Sequence, residues 1–223
     1  MQIVPKNPDM ARARQQRSAQ AEQRILAAAE RVFAESGFGG ATMAALAAAA
    51  GLPAANLHYH FGTKKRLYEA LLENILHLWL EASDSITADA SPAAALSAYI
   101  AAKMRYSRTR PYASKVFANE VLQGGVHLHS FLGLELRRRV DEKAEILEGW
   151  MRKGLMERVD PRHLFFLLWA MTQTYADFET QIRAVLGRAA VLAPEDYAVG
   201  EALIKRLVLR GCGLSFSETE INP

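Results

Sequence analysis

The sequence lacks the features of disulfide-bonded, membrane-spanning and disordered proteins. Cys212 is the single cysteine among 223 residues, which excludes an intrachain disulfide and favours a reducing compartment. The most apolar stretch, 164–171, is too short to cross a bilayer, since a spanning helix needs about 20 residues. The N-terminal segment has no apolar run, so we expect no signal peptide and a cytoplasmic location. With 50% hydrophobic residues, the chain has enough apolar material to form a folded core.

Positive charge is concentrated in the first third of the chain. Residues 1–70 contain nine Lys or Arg and five Asp or Glu, whereas the remaining residues contain 18 and 19. The whole chain has a formal net charge of +3. The local excess weakly indicates a polyanionic partner for the first segment, although a solvated basic tail explains it equally well.

Helical periodicity predicts an all-α protein, because alanine and leucine dominate and no segment shows the alternation of a strand. Residues 1–18 have no apolar period and are predicted to be a mostly disordered basic arm. Residues 19–65 are predicted to form an N-terminal three-helix domain, and residues 66–223 a larger helical bundle. The predicted helices cover about 19–36, 43–50, 54–60, 64–86, 92–108, 111–122, 131–153, 161–186 and 194–210.

The most specific motif lies in residues 42–72. Thr42 is predicted to cap a short helix, Gly51 to end it, and Pro53 to open a second short helix. Two short helices joined by a glycine-containing turn are typical of a helix-turn-helix. The residues expected to form the small core beneath it are Leu46, Leu57 and Phe61.

This segment resembles the DNA-binding domain of the TetR family of bacterial transcriptional regulators. The matching residues are Gly37-Phe38, Thr42, Leu46-Ala47, Ala50-Gly51-Leu52, Leu57-His58-Tyr59-His60-Phe61, Lys64 and Leu67. The sequence departs from the family at Pro53, where a serine or similar cap is usual, and at Ala54 and Ala55, which offer no side-chain donors. The resemblance implies binding of double-stranded DNA, with the second short helix in the major groove.

The residues expected to contact DNA are Thr42, Ala54, Asn56, His58, Tyr59 and Lys64. Asn56 suits a bidentate amide contact with adenine. Lys64 is expected to contact phosphate, because cations in the first turn of a helix oppose its dipole and need a negative partner. His60 is predicted to be structural. A homodimer is then expected to bind a near-palindromic operator with half-sites about 10 bp apart or slightly more.

The resemblance covers about residues 20–210 and points to the branch of the family that responds to pyrimidine bases. The residues that carry it are Tyr106-Ser107-Arg108, Pro111, Ala113-Ser114, Phe117, Glu120, Gly124, Asp141-Glu142-Lys143, Gly149-Trp150, Asp160-Pro161, His163-Leu164, Trp169, Thr172-Gln173 and Tyr175-Ala176-Asp177-Phe178. It implies a regulator of nucleobase or related nitrogen metabolism that is released from DNA by uracil, thymine or a related nucleobase. The family pattern favours repression and leaves activation open. It also implies a homodimer held together by the last two long helices.

Trp169, Gln173 and Ala176 fall on one face of a predicted helix. Such a stripe is usually core, but a buried amide needs hydrogen-bond partners. A planar base supplies them to Gln173, while Trp169 offers a flat stacking surface. An internal hydrogen bond of Gln173 is the competing interpretation. Trp79 and Lys103 are weaker candidates for ligand contacts.

Other polar groups are interpreted as structural. His58 and His60 lack the convergent ligands that a metal needs, so neither a metal nor a cofactor is expected. His127 and His129 are predicted to lie in a solvated loop. The run 137–139, three arginines, is predicted to be a solvated helix face.

No nucleophile elbow, glycine-rich phosphate loop or paired carboxylates are recognisable. We therefore expect a regulator, not an enzyme. A helical enzyme acting on a nitrogen heterocycle through Cys212 or a histidine is the main alternative from another class. A membrane-surface or scaffold protein is a third, but a long basic amphipathic helix is missing. A regulator of the same family that senses an unrelated small molecule also remains open.

Overall fold

The computed structural model describes residues 8–128 and 132–215, and within these ranges all regular structure is helical. The chain divides into two compact units, Met1–Glu73 and Asn74–Pro223, and the division falls inside the fourth helix. The helices are α1 (Pro8–Gly40), α2 (Met43–Ala50), α3 (Ala54–Phe61), α4 (Lys64–Ala82), α5 (Pro92–Thr109), α6 (Pro111–Leu122), α7 (Arg137–Arg152), α8 (Pro161–Asp177), α9 (Glu179–Leu186) and α10 (Pro194–Gly211). A 3₁₀ turn (Ser83–Ser85) follows α4, and a π-helical turn (Leu132–Leu136) precedes α7. None of these described helices is both long enough and apolar enough to span a bilayer.

The first helix begins earlier than the sequence predicts. It includes residues 8–18, for which the sequence predicts disorder, while residues 1–7 lie outside the described part of the chain. Pro8 stands at its start, where the missing N–H costs nothing, and good helix formers follow. Gly37 interrupts the helical path at φ 66° and ψ 174°, which confirms the predicted end of the regular helix at this glycine.

The first unit is held by apolar side chains from all four of its helical segments. Its buried residues include Ile25, Ala29, Phe33, Leu46, Leu57, Phe61, Leu67 and Leu71. Arg24 Nη2 also donates a hydrogen bond of 3.1 Å to the carbonyl of Ala50, near the end of α2. The three residues predicted to lie beneath the helix-turn-helix are therefore confirmed as core.

The second unit packs α5, α8 and α10 around its main core. The largest buried side chains of this core are Tyr99, Ile100, Met104, Leu147, Trp150, Phe165, Leu168 and Leu209. The Ser107 hydroxyl donates a hydrogen bond of 2.8 Å to the carbonyl of Thr172, which fixes α5 against α8. This contact helps determine which face of α8 is turned toward α5.

Two predicted helices are interrupted in the second unit. The helix predicted over 161–186 breaks at Phe178 (φ −111°, ψ 26°), although neither proline nor glycine marks the position. The helix predicted over 131–153 opens with the π-helical turn, and residues 129–131 are outside the described ranges. In addition, α4 ends at Ala82, so the predicted extension to residue 86 is replaced by the 3₁₀ turn.

Candidate functional site

The helix-turn-helix is formed by local capping interactions. Thr42 has extended backbone dihedrals and its hydroxyl accepts a hydrogen bond of 3.1 Å from the Ala45 N–H, as expected of an N-cap. Gly51 adopts a left-handed conformation (φ 62°, ψ 36°) that ends α2 and turns the chain toward α3. The Thr42 side chain is thus engaged in capping, although the residue itself is exposed.

The outward surface of α3 carries the residues predicted to read DNA. Leu57 and Phe61 point into the core, whereas Tyr59 is 75% exposed. Ala54 and His58 are also exposed, and Asn56 is half-buried. The structure thus brings these predicted residues together on one short helix, with His60 half-buried beside them.

His58 has a hydrogen bond that determines which ring nitrogen carries the proton in its neutral form. Its Nδ1 lies 2.9 Å from the carbonyl oxygen of Gly62. A carbonyl only accepts, so Nδ1–H is the donor and the neutral ring keeps Nε2 as an acceptor. The available nitrogen of His58 therefore suits a base-edge donor, such as an exocyclic amino group.

The ammonium of Lys64 is bound within its own unit. It donates hydrogen bonds of 2.7 Å and 2.8 Å to the carbonyls of Phe38 and Ala41, and lies 4.6 Å from the centroid of the Phe38 ring. Phe38 in turn packs against Tyr68, with their centroids 5.0 Å apart. This geometry supports a role in fixing the turn after α1, which differs from the phosphate contact that the sequence suggests.

The second unit contains a cavity, and all four predicted ligand residues line it. They are Trp79 on α4, Lys103 on α5, and Trp169 and Gln173 on α8. The cavity encloses about 530 Å³ of atom-free space when its open mouth is included. A space of this size lies within the range of pockets that hold small molecules.

Aromatic rings form the walls of this cavity. Trp79 and Phe117 meet edge to face, with centroids 4.4 Å apart. On the opposite helices, the Trp169 indole N–H donates a hydrogen bond of 2.9 Å to the Tyr99 hydroxyl. Tyr99 is buried, and this burial raises the pKa of its hydroxyl, which therefore stays protonated. The walls thus offer flat apolar surfaces together with one phenol hydroxyl.

Lys103 is the most unusual residue of the cavity. It is only 2% exposed, and its ammonium lies 4.3 Å from the centroid of the Trp79 ring. None of the described residues accepts a hydrogen bond from it. Burial lowers the pKa of Lys103 to about 7, against the opposing influence of the Asp177 carboxylate. A proton can therefore leave or join this side chain near neutral pH.

Two further polar groups of α8 lie near the lysine. Gln173 is half-buried and makes no hydrogen bond with any described residue, so the internal hydrogen bond considered from the sequence is not found. Asp177 accepts a hydrogen bond of 2.6 Å from the Ser114 hydroxyl. Burial raises the pKa of Asp177, while the Ser114 bond and the charges of Lys103 and Lys115 act in the opposite direction.

The sequence missed several lining residues. Arg139 and Lys143 both line the cavity, as do Tyr99 and Phe117. The run 137–139 is therefore not a uniform solvated face: the side chain of Arg139 is only 24% exposed and pairs with Asp84 at 3.2 Å. Its orientation toward the 3₁₀ turn depends on a tertiary contact, which no local pattern indicates.

The predicted histidine loop is only partly described. His127 is half-buried, and its main-chain N–H donates a hydrogen bond of 2.7 Å to the buried carboxylate of Glu120; His129 lies outside the described residues. Across residues 8–128 and 132–215, no group of three or more His, Cys, Asp or Glu is placed to hold a metal ion. Cys212 is buried in the core of the second unit.

Two family models match the chain and together cover most of it. Residues 25–71 match bacterial regulatory proteins of the tetR family, and residues 72–215 match the C-terminal region of YcdC-like proteins. The HTH-type transcriptional regulator RutR of Escherichia coli (strain K12) is 40% identical over 163 residues, which are 73% of this chain and 77% of RutR. The HTH-type transcriptional repressor NicS of Pseudomonas putida is 26% identical over 166 residues, which are 73% and 78% of the two chains.

Solved structures share the fold at lower identity. The ketosteroid transcriptional regulator KstR2 of Mycobacterium tuberculosis superposes with a TM-score of 0.66 at 18% identity, covering 86% of this chain and 94% of KstR2. AibR, solved with isovaleryl coenzyme A and operator DNA, superposes with a TM-score of 0.56 at 23% identity, covering 70% and 85%. These likenesses establish an all-helical fold with an N-terminal helix-turn-helix.

Proposed function

The chain belongs to the TetR family of transcriptional regulators, and from this premise we propose that it is a repressor released from DNA by a small planar metabolite. The proposed metabolite is a pyrimidine or a related nucleobase. The family and the relatives above are regulators and not enzymes, so the heterocycle is an effector in this proposal and not a substrate.

The observation that carries this proposal is the cavity of the second unit. Its aromatic walls suit a flat ring, and its polar groups suit the edge of one. The Gln173 amide makes no hydrogen bond with any residue that the structure describes, and the Tyr99 hydroxyl and Lys103 ammonium lie in the same lining.

The proposed DNA-reading surface is the exposed face of α3. Asn56, His58 and Tyr59 are the proposed contacts to bases or backbone in the major groove, and Ala54 allows close approach. Thr42, at the start of α2, is a proposed phosphate contact through its backbone and side chain. Lys64 is proposed to support DNA binding indirectly, because it holds the turn that contains Phe38 and Ala41.

A homodimer is proposed through α8 and α10. These helices expose large apolar side chains, and a cluster of such side chains on a surface indicates an interface with another protein chain. They are Phe166, Leu167, Val199, Leu203 and Leu207. Pairing two copies of this surface gives an isologous interface and two α3 helices. Such a dimer matches a near-palindromic operator, and its proposed place of action is the cytoplasm.

The proposed mechanism is thermodynamic linkage between effector and operator. An effector that binds the DNA-incompetent conformation more tightly must weaken operator binding by the same factor. The α4 helix contributes Leu67 to the first core and Trp79 to the cavity lining, so it is the proposed coupling element. Occupation of the cavity is expected to bias the position of this helix.

The experiment starts with operator selection from random duplexes by the full-length protein, followed by fluorescence anisotropy on the selected site. Uracil, thymine, purines and isovaleryl coenzyme A are then titrated into the complex. Release by a free base, and not by the acyl compound, supports the proposal. A protein that selects no duplex, or that is released only by an unrelated compound, contradicts it.

A further inference from the structure

Among the described residues, three cationic side chains line the cavity, and two of them have direct acidic or carbonyl partners there. Arg139 pairs with Asp84 at 3.2 Å, and Lys143 pairs with Glu142 at 3.3 Å while donating to the carbonyl of Ile86 at 3.1 Å. Lys103 is buried as deeply as Lys143, yet no described residue accepts a hydrogen bond from it. Its ammonium lies over the Trp79 ring and is influenced by the Asp177 carboxylate, but it has no direct ion pair among the described residues, so an anionic group is the partner that this buried charge still needs.

We propose that the effector carries a negatively charged group on its ring and that this group pairs with the Lys103 ammonium. This inference rests on the function proposed above and specifies the charge of the ligand. The Lys103 ammonium lies over the Trp79 ring, 4.3 Å from its centroid, so a negatively charged group that pairs with the ammonium is placed beside this indole. Gln173, on α8, remains available for an uncharged edge of the ligand.

The surroundings of Lys103 determine how such binding depends on pH. The charged or titratable groups that face the cavity or the lysine are Tyr99 on α5, Arg139 and Lys143 on α7, and Asp177 on α8, with Lys115 of α6 close to Asp177. Tyr99 stays neutral, while the two α7 cations keep their own partners. Near neutral pH the charge of Lys103 changes, because its pKa is about 7. The neighbouring Asp177, whose pKa burial raises, is the other group whose protonation affects this charge.

An anionic ligand raises the pKa of Lys103, because it stabilises the protonated form. Binding therefore takes up a proton from solvent whenever the free lysine is partly neutral. The gain in affinity for an anionic ligand is complete below the pKa of Lys103 in the free protein, near 7. It is lost as the pH rises toward the higher pKa that Lys103 has in the complex. Between these two pKa values, the Kd of the anionic ligand increases by up to about tenfold per pH unit.

Barbiturate and uracil are a matched pair of probes for this inference. Both are single planar pyrimidine rings with amide-like edges, but barbiturate is an anion at neutral pH and uracil is neutral. We expect barbiturate to bind the full-length protein at least about tenfold more tightly than uracil at pH 6.5. This preference is expected to decrease by pH 8.5, while the Kd of uracil stays constant. Calorimetry in phosphate and in Tris measures the proton uptake directly.

Substitution assigns the effect to one side chain. Lys103→Met keeps the aliphatic length without charge and is expected to abolish both the preference for barbiturate and its pH dependence. Lys103→Arg keeps a charge that does not titrate, so the preference is expected to persist without pH dependence. Lys153→Met, at an exposed lysine after α7, is the matched control and is expected to behave as wild type.

The outcomes separate this inference from the function on which it rests. If uracil binds as tightly as barbiturate at pH 6.5 and releases the operator, the charged effector is refuted and the proposed function stands. If neither ring binds while operator binding is intact, both are refuted for this cavity. Should Lys103→Met fail to fold, the wild-type calorimetry decides: buffer-dependent proton uptake with barbiturate supports the inference, and its absence overturns it.

Discussion

The Trp169 indole N–H donates a hydrogen bond of 2.9 Å to the Tyr99 hydroxyl, joining α8 to α5 across the edge of the cavity. The two residues are 70 positions apart in the chain. Tyr99 also packs edge to face on Phe165, with centroids 5.9 Å apart. The bond therefore holds one aromatic wall in a defined orientation and occupies the indole N–H, so Trp169 is left to offer its ring face and not a donor.

Tyr99→Phe removes the acceptor for this indole while keeping the ring. The partly buried N–H of Trp169 then loses its partner, and we expect the free energy of unfolding to fall by about 1–3 kcal/mol. Urea denaturation at fixed protomer concentration measures the change, since the stability of a dimer depends on concentration. Tyr112→Phe, at an exposed phenol on α6, is the control. Equal stability of the two variants would show that the hydrogen bond contributes nothing measurable.

Lys64→Met tests whether this lysine holds the turn after α1 or contacts phosphate. Loss of the ammonium leaves the carbonyls of Phe38 and Ala41 without their charged donor, so we expect a loss of about 1.5–3 kcal/mol in unfolding free energy. Lys65→Met, at a mostly exposed neighbour, is expected to change little. The slope of operator affinity against salt gives the second readout. A slope reduced by about one unit, with normal stability, would instead restore the phosphate contact.

Asn56→Ala tests direct reading of the operator. If the amide contacts adenine, affinity for the selected site is expected to fall by about 1–3 kcal/mol, with little change on random duplex DNA. Anisotropy titrations on both duplexes measure the difference. Asn119→Ala, at an exposed amide on α6, controls for loss of an amide elsewhere. An equal loss on both duplexes would reduce Asn56 to a backbone contact or a folding residue.

The reading helix could be predicted from sequence because its determinants are local. Thr42 caps α2 through an N–H three residues away, and Gly51 ends the helix by its own left-handed dihedrals. Both interactions involve residues within one helical turn, so the sequence alone is enough to predict them. The periodicity of Trp169 and Gln173 is equally local, which is why this face of α8 could be selected as a cavity wall.

The remainder of the cavity depends on contacts between distant segments. Arg139 belongs to the same run of three arginines as the more exposed Arg137 and Arg138, and it pairs with Asp84 of the 3₁₀ turn. Tyr99 becomes a wall residue only because α5 packs on α8. The helix breaks at Phe178, where neither proline nor glycine predicts a break. Such features follow from tertiary packing, which overrides local preference.

Gln173→Leu separates the two roles considered for this amide. The variant keeps similar bulk and removes every hydrogen bond, and since no described residue bonds to Gln173, we expect stability to change by less than about 1 kcal/mol. The dimer is expected to keep its operator affinity, because the substitution lies outside the first unit. The effectors tested first are uracil and thymine. A planar base that releases the wild-type protein from its operator should release the variant only at concentrations at least about tenfold higher. The reason is that the polar edge of a bound base would be left unpaired, at a cost of about 1–3 kcal/mol. Gln123→Leu, at an exposed amide just after α6, is the matched control. If the variant stays dimeric and bound to DNA yet responds at unchanged effector concentration, Gln173 makes no ligand contact and the base binds against another face of the cavity.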